Sequence, residues 1–141
     1  MDTTQYFVAC AVILNDHGKI LLTKRHNPNN PEVHDKWQLP GGSVDFGEHP
    51  SQSAIREVKE ETNLSIKHLS DKPFIFSHTF KNSVHVVLIV YKTILVSGEL
   101  DISGDPDETN DAKWFELDEI KHLNSLPETY EIVSTILRAK E

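Results

Sequence analysis

Only one cysteine, Cys10, occurs in the 141 residues, so no intramolecular disulfide can staple the chain. Cys10 lies inside the apolar run Tyr6 to Leu14, which predicts a buried structural thiol and not a nucleophile. No apolar stretch approaches the roughly 18 residues that a membrane span requires, so no membrane partner is expected. The six glycines and seven prolines are scattered, with no Gly/Ser-rich or Pro-rich linker, no repeat and no low-complexity segment. A single domain over residues 1–141 follows. The first five residues, Met1-Asp2-Thr3-Thr4-Gln5, offer no basic region leading into an apolar core, and a cytoplasmic location is expected. Positive charge is also scarce: 14 basic against 22 acidic residues leave a net charge of −8, which repels a bare nucleic-acid backbone and disfavours duplex binding. An anionic substrate stays compatible with this balance where divalent cations sit between it and clustered carboxylates.

What is present is an ordinary globular composition, 38% hydrophobic and 26% charged. Tyr6 to Leu14 and Lys19 to Arg25 are β-prone runs joined by the turn-forming Asn15-Asp16-His17-Gly18, which predicts a hairpin. His26 to Lys36 has no periodicity and reads as a surface loop leading into Trp37-Gln38-Leu39-Pro40-Gly41-Gly42. Pro73 to Phe80 and Val84 to Val96 predict a second strand pair around Lys81-Asn82-Ser83, and Ala112 to Leu117 a further short strand. Pro127 to Ala139 reads as a closing helix, with Ile132, Val133, Ile136 and Leu137 at helical spacing and Pro127 suited to its first turn. The interleaving of strands and helices is an α/β pattern.

The segment from Pro50 to Thr62 carries the chemistry. Pro50 suits a helix start, and Asn63 tolerates the left-handed conformation of a helix end. At about 100° per residue, Ala54, Ile55, Val58 and Thr62 gather on a core side, while Glu57, Glu60 and Glu61 gather on another. Like charges at those spacings cost a helix about 0.2 to 0.5 kcal/mol per pair, and a solvated acidic face is the ordinary outcome of such a pattern. Hard divalent cations offer a different compensation, because magnesium prefers oxygen ligands and leaves positions for water and substrate phosphate.

The longer frame decides between these. Gly42, five residues, Glu48, seven residues, then Arg56-Glu57-Val58-Lys59-Glu60-Glu61-Thr62-Asn63-Leu64 resembles the Nudix box almost position for position. Leu39-Pro40-Gly41-Gly42 before it and Trp114-Phe115 with Leu117-Asp118-Glu119 after it are similar to the family's flanking features. One departure is Asn63, where the family usually has glycine, but asparagine is the next best residue for a left-handed cap. The resemblance implies an α/β/α sandwich with a central mixed sheet, in which Leu39 to Leu64 forms a catalytic loop-helix. It implies that Glu57, Glu60 and Glu61, with the backbone carbonyl of Gly41, hold magnesium, for which manganese can substitute. Arg56 resembles the residue that pairs with glutamate and orients it, and Glu48 the first box glutamate, so that Glu48, Arg56, Glu57 and Glu60 form the expected catalytic group. The proton acceptor stays open between a box glutamate and a carboxylate of the loop from Asp105 to Asp111, where Glu108 and Asp111 are the candidates. In most proteins a segment so rich in Asp, Gly, Pro and Asn is a plain acidic turn.

The reaction so implied is magnesium-dependent hydrolysis of a phosphoanhydride in a nucleoside-diphosphate-linked substrate. The run Gly42 to Glu48 after Trp37 to Pro40 looks similar to members that convert nucleoside triphosphates to monophosphate and pyrophosphate. ADP-ribose or a nucleotide sugar is the alternative substrate, and a non-hydrolytic Nudix-fold nucleotide-binding module the alternative class. The isomerase branch needs a further cysteine, which Cys10 in the first strand does not match. Lys24 and Arg25 end the second strand where a cation can meet phosphate. Trp37 either stacks on a base or anchors the Leu-Pro-Gly-Gly loop. His78 and His85 are expected on neighbouring strands, facing one another, at a spacing that fits no zinc motif. Dimers are common in the family, so a homodimer is among the expected states.

Overall fold

The computed structural model describes residues 2–139. Eight strands form one mixed sheet: β1 (Thr4–Leu14), β2 (Ile20–Arg25), β3 (Trp37–Gln38), β4 (Gly41–Ser43), β5 (Ser65–His68), β6 (Phe74–Phe80), β7 (Val84–Ser97) and β8 (Thr109–Phe115). Three helices accompany it: α1 (Pro50–Thr62), α2 (Leu117–Ile120) and α3 (Thr129–Arg138). β1 and β7 are the parallel central pair, matched from Thr4 with Val84 to Leu14 with Ile94. The remaining pairings, β2 and β4 on β1, β5 and β6 on β7, and β3 and β8 on β2, are antiparallel.

Alternation along β1 divides the core into two layers. Ala9, Ala11 and Ile13 face α1 and pack with Ala54, Val58, Leu64 and Tyr91. Cys10 and Val12 face the other way and join Ile20, Leu22 and Phe115 under Ile120 of α2 and Ile132, Val133 and Ile136 of α3. The result is helix, sheet, helix, with both faces of β1 dry from Ala9 to Ile13, and the sandwich expected from the sequence is the one observed. No helix among the described residues is long and apolar enough to cross a membrane.

The sequence-based elements are recovered with several corrections. The first hairpin turns as expected, with Asn15 Oδ1 accepting from the backbone N–H of His17 and Lys19 and Gly18 at φ 73°. β3, β4 and β5 are strands that the residues did not announce, being two to four residues long and paired only through tertiary contact. The last strand begins at Thr109 and stops at Phe115, because Glu116 starts a capping box with Glu119 and turns Leu117 into the first residue of α2. The closing helix starts at Thr129, not Pro127, since Glu128 adopts a left-handed conformation (φ 67°, ψ 9°) that no helix continues through, and it ends at Arg138. Ile55 is 38% exposed, so it lies at the edge of the core side of α1. His78 stands opposite Val86 and His85 opposite Thr79, which sends the two histidines to opposite faces of the hairpin. Instead of facing each other, His78 packs on Phe80 and His85 Nδ1 lies 3.0 Å from Gln5 Nε2.

Candidate active site

The loop-helix is pinned at both ends. Pro50 opens α1, His49 caps it by accepting from the Ser51 N–H, and Asn63 closes it in the left-handed region (φ 67°, ψ 10°) with its N–H bonded to the Lys59 carbonyl. The C-terminal turn is strapped to the segment after β7: Asn63 Nδ2 donates to the Glu99 carbonyl at 3.1 Å and the Asp101 N–H to the Thr62 carbonyl at 3.0 Å. At Gly104 an added Cβ would lie 3.0 Å from the Glu60 carbonyl oxygen, so loop and helix end touch through backbone. Before the helix, β4 lies flat on β1, with Gly41 at φ 154° against Ala9 and Cys10.

Arg56 is the hub of the resulting cluster. Its Nε and one Nη hold both oxygens of Glu48 at 2.9 Å each, a fork on fork geometry, and the same Nη reaches Asp45 Oδ2 and the Ser43 carbonyl, each at 3.3 Å. The other Nη donates to Glu57 at 3.0 Å and Glu60 at 3.3 Å. Glu48 also accepts from Ser53 Oγ at 2.5 Å. These bonds, Arg56 foremost, hold the Glu48 carboxyl down at about 2. A depressed carboxylate pKa contributes stability that is present above its unfolded value, 4.5, and is lost as pH falls through about 2. Glu48→Gln should therefore flatten the acid limb of the stability curve between those limits, read by urea unfolding at stepped pH; an unchanged limb would show that the fork contributes nothing to folding.

Glu57, Glu60 and Glu61 share a side of α1 but not an environment. Glu60 is exposed at 59% and Glu57 at 22%, whereas Glu61 is buried beneath them. Burial pushes Glu57 above its ordinary value despite the pull of Arg56. Burial also pushes Glu61 up to about 8, reinforced by the charges of Asp105 and Glu57 and opposed by the Thr23 hydroxyl and the Gly41 backbone. No cation offsets it, and Glu61 Oε1 has no hydrogen-bond partner among the described residues. A buried carboxylate whose charged neighbours are carboxylates is costly unless a cation joins it. Gly42 completes the packing, since an added Cβ would overlap the Glu57 carboxylate.

Comparison with known proteins bears on this arrangement. The NUDIX domain model matches residues 5–136. The chain belongs to the Nudix family. An ADP-ribose pyrophosphatase of Methanocaldococcus jannaschii is 36% identical over 116 residues, covering 82% of this chain and 65% of that protein. The NAD-capped RNA hydrolase NudC of Pectobacterium atrosepticum is 29% identical over 117 residues, covering 81% of this chain but 40% of that protein. Among solved structures, a MutT NUDIX hydrolase from Burkholderia pseudomallei superposes with a TM-score of 0.79 at 29% identity, over 94% of this chain and 98% of that one. The chain thus spans less than two thirds of the length of these two curated relatives.

Within the Nudix fold the remaining candidates separate. Glu48, Arg56, Glu57 and Glu60 are in direct contact, and Glu61 lies under them beside Gly41. Arg25 ends β2 next to a bulge, and its guanidinium makes no ion pair among the described residues. Trp37 is 8% exposed and packs edge-on against Phe115 at 5.0 Å, with Lys24 Nζ 5.8 Å from its ring; of the two roles open to it, the structure supplies the packing one. Asp111 is not in the loop: it pairs with Lys24 inside β8, and its Oδ1 accepts from the Ala112 N–H. Glu108 is exposed and meets the rest of the fold through its carbonyl, which accepts from the His26 N–H. The loop carboxylate coupled to Glu60 and Glu61 is Asp105, half-buried and raised above its ordinary pKa by that burial and by neighbouring acids. The acidic run announced the loop, but only the straps between it and α1 select Asp105. Cys10 is buried and its thiol is pushed up to about 12, so it stays protonated and inert.

Proposed function

We propose that this chain hydrolyses a phosphoanhydride bond in a nucleoside-diphosphate-linked substrate with the help of magnesium, with a nucleoside triphosphate cut to monophosphate and pyrophosphate as the first choice. The observation that carries the reading is the buried carboxylate of Glu61 beneath Glu57 and beside Gly41, whose Oε1 has no hydrogen-bond partner among the described residues. The donor set fits a hard cation: carboxylate and carbonyl oxygens, with Arg56 already engaged by Glu48, Glu57 and Glu60. Among the described residues no three acidic, histidine or cysteine side chains form a ready-made cage. Magnesium takes carboxylate and carbonyl oxygens and leaves its remaining positions to water and substrate phosphates. Glu57, Glu60, Glu61 and the Gly41 carbonyl would hold the ion, which would supply charge neutralisation of the pyrophosphate and orientation of a water molecule.

The chain's own groups do the rest. Arg56 and Glu48 lock the loop to the helix, so that Gly41 and Glu57 keep one mutual geometry. Water adds to one phosphorus, the bridging oxygen leaves with the electron pair of the broken P–O bond, and the water proton passes to a carboxylate. Glu57 and Asp105, both above their ordinary pKa, are the acceptors this site offers. Arg25 at the end of β2 is available to substrate phosphate. Similarity to the M. jannaschii pyrophosphatase supports ADP-ribose as the second reading.

The test is formation of nucleotide products, separated by chromatography, from nucleoside triphosphates, ADP-ribose, nucleotide sugars and dinucleoside polyphosphates, with magnesium or manganese, beside Glu60→Gln. Turnover of one class that is lost in the variant establishes reaction and substrate together; silence across the panel from folded protein favours a nucleotide-binding module. Metal binding has its own readout. Because the Glu61 proton must leave before the carboxylate can take a cation, the gain in thermal midpoint from added magnesium should grow between pH 6 and about 8. A gain independent of pH, or none at all, would remove Glu61 from the ion's ligands.

A further inference from the structure

We propose that β6 is a self-association edge, where two copies of this chain pair their Phe74–Phe80 strands antiparallel about a two-fold axis and continue one sheet into the other. β6 has a strand on one side only, β7, and no second strand lies beside it among the described residues. Exposed edges are usually guarded by charge, proline, bulges or shortness. The other outer strands of this sheet are guarded: β3 and β4 have two and three residues, β5 has four, carries Lys67 and pairs through a bulge, and β8 carries Asp111 and Lys113 and also pairs through a bulge. β6 has none of these features. Its sequence Phe-Ile-Phe-Ser-His-Thr-Phe holds no lysine, acid, glycine or proline, and its register with β7 runs unbroken from Phe74 to Phe80.

Charge identifies the occupant as a second copy. A chain of net charge −8 meets its own copy with least repulsion where it carries no carboxylate, and none of the 22 acidic residues lies in β1, β6 or β7. The strand is also self-complementary. A two-fold centred on Ser77 places Phe74 opposite Phe80, Phe76 opposite His78 and Ile75 opposite Thr79, so each pair on one face is aromatic with aromatic. The neighbouring surface continues the same character. On the α1 side of the sheet, beyond the reach of the helix, Ile75 is 61% and Phe7 59% exposed, beside Val87 and Ser77.

The experiment is the solution mass of the full chain by light scattering over a concentration series, with two variants at the exposed Ser77. The wild type should reach twice the chain mass. Ser77→Lys, which sets two ammonium groups against each other at the axis, should stay at the single mass with an unchanged circular dichroism spectrum. Ser77→Cys under mild oxidation should cross-link to a covalent dimer, whereas the wild type, whose Cys10 is buried, should not. A monomeric wild type, a dimer that survives Ser77→Lys, or a failure of Ser77→Cys to cross-link each overturns the pairing.

Discussion

Glu57→Gln is expected to lower turnover of the preferred substrate roughly 10²- to 10⁴-fold, the scale of a removed acid-base group, while leaving the thermal midpoint close to wild type. Glutamine keeps the shape of the side chain and an oxygen that still accepts from Arg56, now at 3.0 Å, so the hub around Arg56 persists. What disappears is one anionic oxygen donor beside Glu61 and a carboxylate whose burial already favours taking a proton. Steady-state product release at saturating magnesium reads the first effect and a melting curve the second. Near-normal turnover would exclude Glu57 from both proposed roles, whereas a large loss of stability would mean that it acts through packing.

The second large effect separates two adjacent glycines. Gly41→Ala should destabilise the fold by roughly 4 kcal/mol or more, at the far end of single substitutions. Its methyl would run into the backbone of Ala9 and Cys10, both in the central strand, and its φ of 154° is strained for any side chain. Neither obstacle can move without breaking the pairing of β4 with β1. At Gly42 the obstacle is instead the carboxylate of Glu57, the end of a side chain that can swing away. Gly42→Ala should therefore fold, lose much of its activity by displacing Glu57, and keep most of the urea midpoint. Equal destabilisation of the two variants, measured by urea titration, would refute this division between a glycine whose Cα faces strand backbone and one whose Cα faces a movable side chain.

Much of this is legible in the order of the amino acids. Pro50 and Asn63 marked α1 because proline fits a first helical turn and asparagine tolerates a left-handed cap, both local properties of the backbone. The spacing of Glu48 and Arg56 to Glu61 carried the family resemblance, and the family model that matches residues 5–136 agrees with it. Periodicity found the long strands and the closing helix for the same reason: alternation and helical repeat are written into consecutive residues.

Other features depended on contacts between distant segments. β3 and β4 are two and three residues long, too short for periodicity, and exist because β2 and β1 lie beside them. Asp105 was one acid among several in its loop until the straps from Asn63 and Thr62 set that loop against α1. Trp37 was open in sequence to stacking on a base or to packing, and it is buried against Phe115 because β3 and β8 flank the same strand. The three glutamates of α1 look alike in sequence, yet one is exposed, one half-buried and one enclosed, because depth is a property of the packed sheet and not of the helix. The sequence by itself determined which groups this protein possesses and at what helical spacing, since those are local and additive. The tertiary structure alone decided which of them lost their water, and desolvation is what distinguishes Glu61 from an ordinary surface carboxylate.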